Sequence, residues 1–312
     1  MSEGIPNETV TERMMSNASG QPRPPRKDRR DQAREQSRLM RDDEHARAKR
    51  QRLLRRGGIG GIGGVLLAAA TVAALVVANQ NTPSYAGPLN MASDGILIGG
   101  DGTTVSAAMT PALAAGAKPV ATDKSQLSDM VNIDIYVDYM CLLCGQFEAT
   151  NAAQIASWVT AGNATVELHP LSILDTSSRG NNDSTRAANA AACVANFAPD
   201  SFLAVNTALF AKQLAEETGG LTDAQLQSLI EKAGATNPNI AACITKETFV
   251  PWVRAASDRA LKGPLPNADI TKVTGTPTVL VNGASYKGSL SDAKAFEAFV
   301  TAQTLATGTG GD

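Results

Sequence analysis

Histidine is almost missing from this chain: there are two in 312 residues, His45 and His169, and only His169 lies in the part composed like a folded domain. Cysteine is sparse as well, at four: Cys141, Cys144, Cys193 and Cys243. A structural zinc site takes four nitrogen or sulfur ligands, and here one Cys-x-x-Cys half-site has no second half to complete it. No metal and no cofactor are therefore expected. No Ser-His-Asp set or carboxylate pair can be argued from spacing. Gly58-Ile59-Gly60-Gly61-Ile62-Gly63 matches the dinucleotide pattern G-x-G-x-x-G, but no strand precedes it and no βαβ unit surrounds it. The even cysteine count is compatible with two disulfides in an oxidising space.

Charge is distributed unevenly. Residues 1–56 carry 15 Lys/Arg and 9 Asp/Glu, a net +6, whereas the remainder carries 13 and 21, a net −8. The basic tract has no apolar periodicity, so it is expected to be a disordered tail. Nucleic acid or lipid headgroups could be its partners. A solvated cytoplasmic tail that fixes membrane orientation is the simpler reading, and no nucleic-acid partner is expected. Residues 57–78 follow without a single charge; at ~1.5 Å per residue such a helix reaches ~33 Å, enough to span a bilayer core. Arg50, Arg52, Arg55 and Arg56 precede it and Asn79-Gln80-Asn81 follow. That places the N-terminus in the cytoplasm and the C-terminal domain outside, held by a single-pass anchor in the cell membrane. A cleaved signal peptide is the alternative, against which stand the long preceding tail and the lack of a small-x-small cleavage site. Residues 79–125 read as an extracytoplasmic linker with a short β element near 95–105, and 306–312 as a disordered tail.

Strands and helices alternate between 126 and 305. Val131 to Val137 reads as a buried strand, Leu142 to Thr160 as a helix, and Ala164 to Leu168 as a second strand. A helical block occupies about 177–262. Thr278 to Asn282 and Ser285 to Lys287 form a hairpin around Asn282-Gly283. A last helix, from Ser291 to about Gln303, takes Ser291 as its N-cap and turns Phe296 and Phe299 inward.

The first strand runs straight into Cys141-Leu142-Leu143-Cys144. Sulfur is nucleophilic as thiolate, and a helix N-terminus offers partial positive charge and free N–H groups to a sulfur anion. Cys141, at the entrance, is the expected attacking thiol and Cys144 the resolving one.

That order of elements, with the dithiol at the first strand–helix junction, resembles the DsbA family of thiol–disulfide oxidoreductases within the thioredoxin superfamily, especially its membrane-anchored actinobacterial members. The resemblance rests on Ile135 to Glu148 and on Val273-Thr274-Gly275-Thr276-Pro277-Thr278 with Val281-Asn282-Gly283. It implies an α/β thioredoxin-like fold with an inserted helical domain, preceded here by the transmembrane helix. It also implies a cis Thr276–Pro277 bond facing the dithiol, where the Thr276 backbone pairs with substrate. The implied partners are exported cysteine-containing proteins and a membrane redox partner, either a quinone-linked reoxidase or a thiol donor. The implied activity is disulfide formation or exchange, with oxidation favoured. A non-catalytic scaffold with a structural Cys141–Cys144 bond is the alternative.

Two departures matter. The buried carboxylate that many relatives carry six positions before the first cysteine is Ile135 here. Asp134 and Asp138 share a strand face with each other but not with Ile135; solvated or capping roles are the simpler reading for them, and Asp138 and Glu148 are the candidate proton relay. Leu142-Leu143 stands where the family often has Pro-His, and without the imidazole a less oxidising couple is expected. Cys193 and Cys243, both in the helical block, are expected to form a structural disulfide, with unpaired buried thiols as the alternative.

Overall fold

The computed structural model describes residues 86–127, 130–212 and 220–308. The expected basic tail at 1–56, the anchor at 57–78 and the end of the C-terminal tail lie outside the described residues. Among the described residues no helix is long and apolar enough to cross a membrane.

Strands β1 (Ile96–Gly100), β2 (Val105–Ala107), β3 (Val131–Asp138), β4 (Ala164–Leu171), β5 (Thr278–Val281) and β6 (Ala284–Ser285) form one sheet in the order β2-β1-β4-β3-β5-β6. β3 and β4 are parallel, with Ile135 opposite Leu168, and helix α1 (Leu142–Thr160) connects them. β3 is buried at all eight positions, as expected of a strand covered on both faces. Ile133, Ile135 and Val137 share a core with Phe147, Ile155 and Val159 of α1. Tyr136 packs on the opposite face with Leu171, Val273 and Leu280.

The helical block inserted between β4 and β5 consists of α2 (Asp183–Phe197), α3 (Phe202–Ala211), α4 (Asp223–Lys232), α5 (Asn239–Thr245) and α6 (Val250–Lys262). Cys193 in α2 and Cys243 in α5 are joined by a disulfide with Cα atoms 5.9 Å apart. The β5–β6 turn is Asn282-Gly283, with φ of 49° and 83°. Positive φ at both positions is what a two-residue type I′ turn demands, and Asn-Gly tolerates it.

Several elements differ from the sequence reading: β4 runs on to Leu171 and β6 is Ala284–Ser285. The β element within 79–125 is part of the sheet: Ile96 to Ile98 of β1 pair with Leu168 to Val166 of β4. Met91 and Ile96 are fully buried, so residues from about 86 onward belong to the domain rather than to a linker. The last helix, α7 (Ala293–Gly308), extends beyond Gln303. Its first N–H groups, on Lys294 and Ala295, donate to the Asp292 carboxylate at 3.0 and 3.1 Å. Asp292 therefore caps it, and Ser291 lies one residue outside. Phe296 is fully buried against Phe147, with ring centroids 5.1 Å apart, while Phe299 is half-buried.

The Cys193–Cys243 link closes a loop of 50 residues, for which the chain-entropy relation gives about 4 kcal/mol. Replacing both cysteines with alanine should lower the unfolding free energy by roughly that amount, read from denaturant midpoints under non-reducing conditions.

Candidate active site

Cys141 is the N-cap of α1. Its backbone is extended, with φ −74° and ψ 113°, and its Sγ accepts the Cys144 N–H at 3.3 Å. The first N–H groups of a helix have no intrahelical acceptor, and here sulfur supplies one. Cys141 Sγ also donates to the Thr276 carbonyl at 3.0 Å. The Thr276–Pro277 peptide is cis, as is Gly263–Pro264. The loop before β5 thus lies directly against the dithiol.

The two thiols sit in opposite electrostatic environments. Cys141 is lowered to about 6, chiefly by the Cys144 thiol donating to it and against desolvation, with further help from the Thr276 side chain and the N–H groups of Cys144 and Leu143. Cys144 is driven far upward by burial first, then by the hydrogen bond and charge of Cys141. Cys144 is 1% exposed and Cys141 6%, whereas Leu142 and Leu143 are each 53% exposed. The entrance to the site is therefore an apolar lip over a recessed sulfur.

Glu148 lies on α1 four residues past Cys144, a spacing that puts both on one helix face. It is buried, and Thr207 Oγ1 of α3 donates to its Oε1 at 2.7 Å. Asn206, which accepts the Tyr139 hydroxyl at 3.0 Å, turns its amide nitrogen to Glu148 without reaching full hydrogen-bond geometry. Burial pushes the carboxyl above its usual range, and Thr207 and Asn206 oppose this. A cavity of about 430 Å³, lined by Gly145, Glu148, Thr207, Phe210 and alanines of α1 and α3, opens beside it.

Asp138 is neither solvated nor exposed: it is fully buried. Both of its oxygens are occupied as acceptors, from the Met140, Ile173 and Leu174 N–H groups and the Ser184 hydroxyl. Burial raises its carboxyl while those four donors pull it down. A carboxylate surrounded by donors is suited to clamping, whereas Glu148 stands one turn from Cys144 and beside a cavity.

Asp134 is buried too, for a different reason. Lys124 Nζ lies 2.7 Å from its Oδ1 and 3.2 Å from Oε2 of Glu167, and His169 lies 3.8 Å from Glu167. Asp134, Glu167 and His169 come close enough to hold one cation, and the Lys124 ammonium lies against the two carboxylates. Burial pushes Asp134 up, and Lys124 pulls against it. His169 stacks on Tyr136, ring centroids 4.2 Å apart. Sequence reasoning missed Lys124, Ser184 and Thr207. The signal that could have found such partners is an acid within an otherwise apolar strand, which cannot be buried without donors.

A family model described as thioredoxin matches residues 128–302. Over 116 residues the chain is 34% identical to the serine/threonine-protein kinase PknE of Mycobacterium tuberculosis, a match that spans 36% of this chain and 20% of the kinase. Among solved structures, oxidised DsbA of Mycobacterium tuberculosis is 25% identical, with a TM-score of 0.51 over 67% of this chain and 92% of that one. Oxidised BdbD of Bacillus subtilis, 19% identical with a TM-score of 0.50 over 72% of this chain and 100% of that one, shares the fold.

Alkylation of the reduced protein by iodoacetamide should occur at Cys141 alone. Its rate should rise with pH through an inflection near 6. The thiolate is favoured in the folded state, so the stability it gives the reduced protein should be present above the ordinary thiol range and fade as pH falls toward that inflection.

Proposed function

The chain belongs to the thioredoxin family, whose model it matches over residues 128–302, as a DsbA-like thiol–disulfide oxidoreductase, and on that premise we propose that it is a membrane-tethered oxidase of exported proteins. The observation that carries the direction is the separation between the two thiols, Cys141 lowered to about 6 and Cys144 raised. A stabilised Cys141 thiolate favours the reduced enzyme, so its disulfide form tends to take electrons from substrate. An oxidising compartment is supported by the Cys193–Cys243 disulfide. The uncharged run at 57–78, with arginines before it, supports the tether.

In the proposed cycle a substrate thiolate attacks Cys141 Sγ of the Cys141–Cys144 disulfide. The intramolecular bond breaks, and Cys144 leaves as thiolate and takes up a proton. The substrate's second thiolate then attacks the substrate sulfur of the mixed disulfide and expels the Cys141 thiolate. The substrate loses two electrons and the enzyme gains them. A quinone-linked membrane reoxidase would restore the disulfide; a thiol donor would be needed for the reverse direction. Thr276 and Pro277 border the attacked sulfur, where the substrate chain lies alongside the loop. The buried Cys144 anion is a poor leaving group unless protonated as it forms, and Glu148 is the group proposed to supply that proton.

Oxidative refolding of reduced RNase, with glutathione disulfide as terminal oxidant, tests this reading. Cys141→Ser should abolish turnover, and Glu148→Gln should slow it roughly 10-fold or more at neutral pH. The couple should be less oxidising than the ~−120 mV of DsbA, because Cys141 at about 6 is less acidic than the ~3.5 of that enzyme. An inert protein whose Cys141–Cys144 bond resists reduction would instead favour a scaffold.

A further inference from the structure

The environment of Asp138 carries more than the burial of an awkward acid. Its Oδ1 accepts from Met140 N at 2.9 Å and from Ser184 Oγ at 2.8 Å. Its Oδ2 accepts from Ile173 N at 2.7 Å and Leu174 N at 3.1 Å. Its backbone carbonyl accepts the Cys141 N–H at 2.9 Å. Three pieces of chain meet at this residue: the turn into α1, the loop after β4, and the first turn of α2. The turn into α1 is far from the other two in sequence: Ile173 and Ser184 are 35 and 46 residues from Asp138. Met140 is the residue immediately before the nucleophile, so fixing its N–H fixes how the chain enters the Cys141 cap.

We infer that Asp138 is a positioning residue for the nucleophile: its carboxylate locks the β3–α1 turn against the helical insertion, and so keeps Cys141 Sγ aligned with the open N-terminus of α1. This rests on the oxidoreductase reading above and deepens it. The geometry makes the residue hard to replace. Each oxygen faces two donors, so an asparagine in either orientation sets an NH₂ group against two donors. It loses two of the four hydrogen bonds and adds a donor–donor conflict. Cys141 Sγ lies 3.3 Å from the Cys144 N–H, a bond that a shift of a few tenths of an ångström would weaken.

Sign separates positioning from simple electrostatics. Removing a negative charge near Cys141 would by itself favour the thiolate and lower its titration point. Loss of alignment with the helix N-terminus acts the other way. The other titratable groups at this end of α1 are Tyr139, Cys144 and Glu148; the Asp138 charge also bears on Tyr139, and its backbone N–H, kept in every variant, on Cys144.

The experiment is the pH profile of Cys141 alkylation in the full-length reduced protein, with thermal unfolding measured alongside. Asp138→Asn should move the inflection upward by at least one unit. From a starting point near 6, that is about a fivefold loss of thiolate at pH 6. Ser184→Ala, which removes one donor of four and is the variant to rely on if the first does not fold, should move it the same way by about a third to half of a unit. A folded variant whose inflection stays put or moves down, whatever its melting temperature, overturns the inference. A parent protein with no inflection near 6 would instead overturn the functional reading itself, so the two failures are distinguishable.

Discussion

The active end of this molecule depends on one hydrogen bond between a helix and a sulfur. The N-terminal N–H groups of α1 need an acceptor, and most helices find it in a serine, threonine, aspartate or asparagine oxygen. Here the cap is Cys141, whose Sγ accepts from Cys144 N. A sulfur anion accepts that bond better than a thiol does, so capping the helix and stabilising the thiolate are the same event. The second cysteine adds its own S–H to the same acceptor. Each half of the dithiol therefore sets the other's proton affinity, in opposite directions. The asymmetry is built before any substrate arrives.

Much of the rest of the fold holds that cap in place. β3 delivers Cys141 from a sheet buried on both faces, and β5 brings the Thr276 carbonyl up to the sulfur through the loop before it. The antiparallel pairing of Tyr136 with Thr278 ties the two approaches together only a few residues from the site. Burying β3 completely has a cost, because Asp134 and Asp138 go in with it. The structure answers the two acids separately: Lys124 gives Asp134 an ammonium, while Asp138 receives four neutral donors.

The legible parts of the sequence were those whose cause is local. The apolar run of β3, the Leu142–Thr160 helix and the Asn282-Gly283 turn follow from periodicity, cap placement and backbone tolerance within a few residues, and all three appear in the structure. The order of elements around the dithiol was legible for the same reason. What could not be read was long-range. Lys124 finds Glu167 across 43 residues, and Ser184 finds Asp138 across 46. β1 gives too short an apolar run to show that it pairs with β4. Ser291 lost to Asp292 by a single position, and element ends are where such a difference of one residue is common.

Ile135 stands where the resemblance implies a buried carboxylate, and this bears on the surroundings of Cys144. Ile135 belongs to the same apolar core as Cys144 and Phe147, and Cys144 is strongly desolvated there. Desolvation disfavours the charged form of any thiol, which deepens the difference between Cys144 and Cys141. That same difference makes expulsion of a bare Cys144 anion costly, so an apolar residue at 135 increases the need for a proton source elsewhere. Glu148, the proton source proposed above, is buried on the helix side, accepts from Thr207, and borders a cavity that also touches Gly145, next to Cys144. Under the proposed cycle, an acid on the helix rather than on the strand separates two tasks. Burial keeps Cys144 protonated, and the Glu148 carboxyl on the same helix face exchanges its proton beside the cavity.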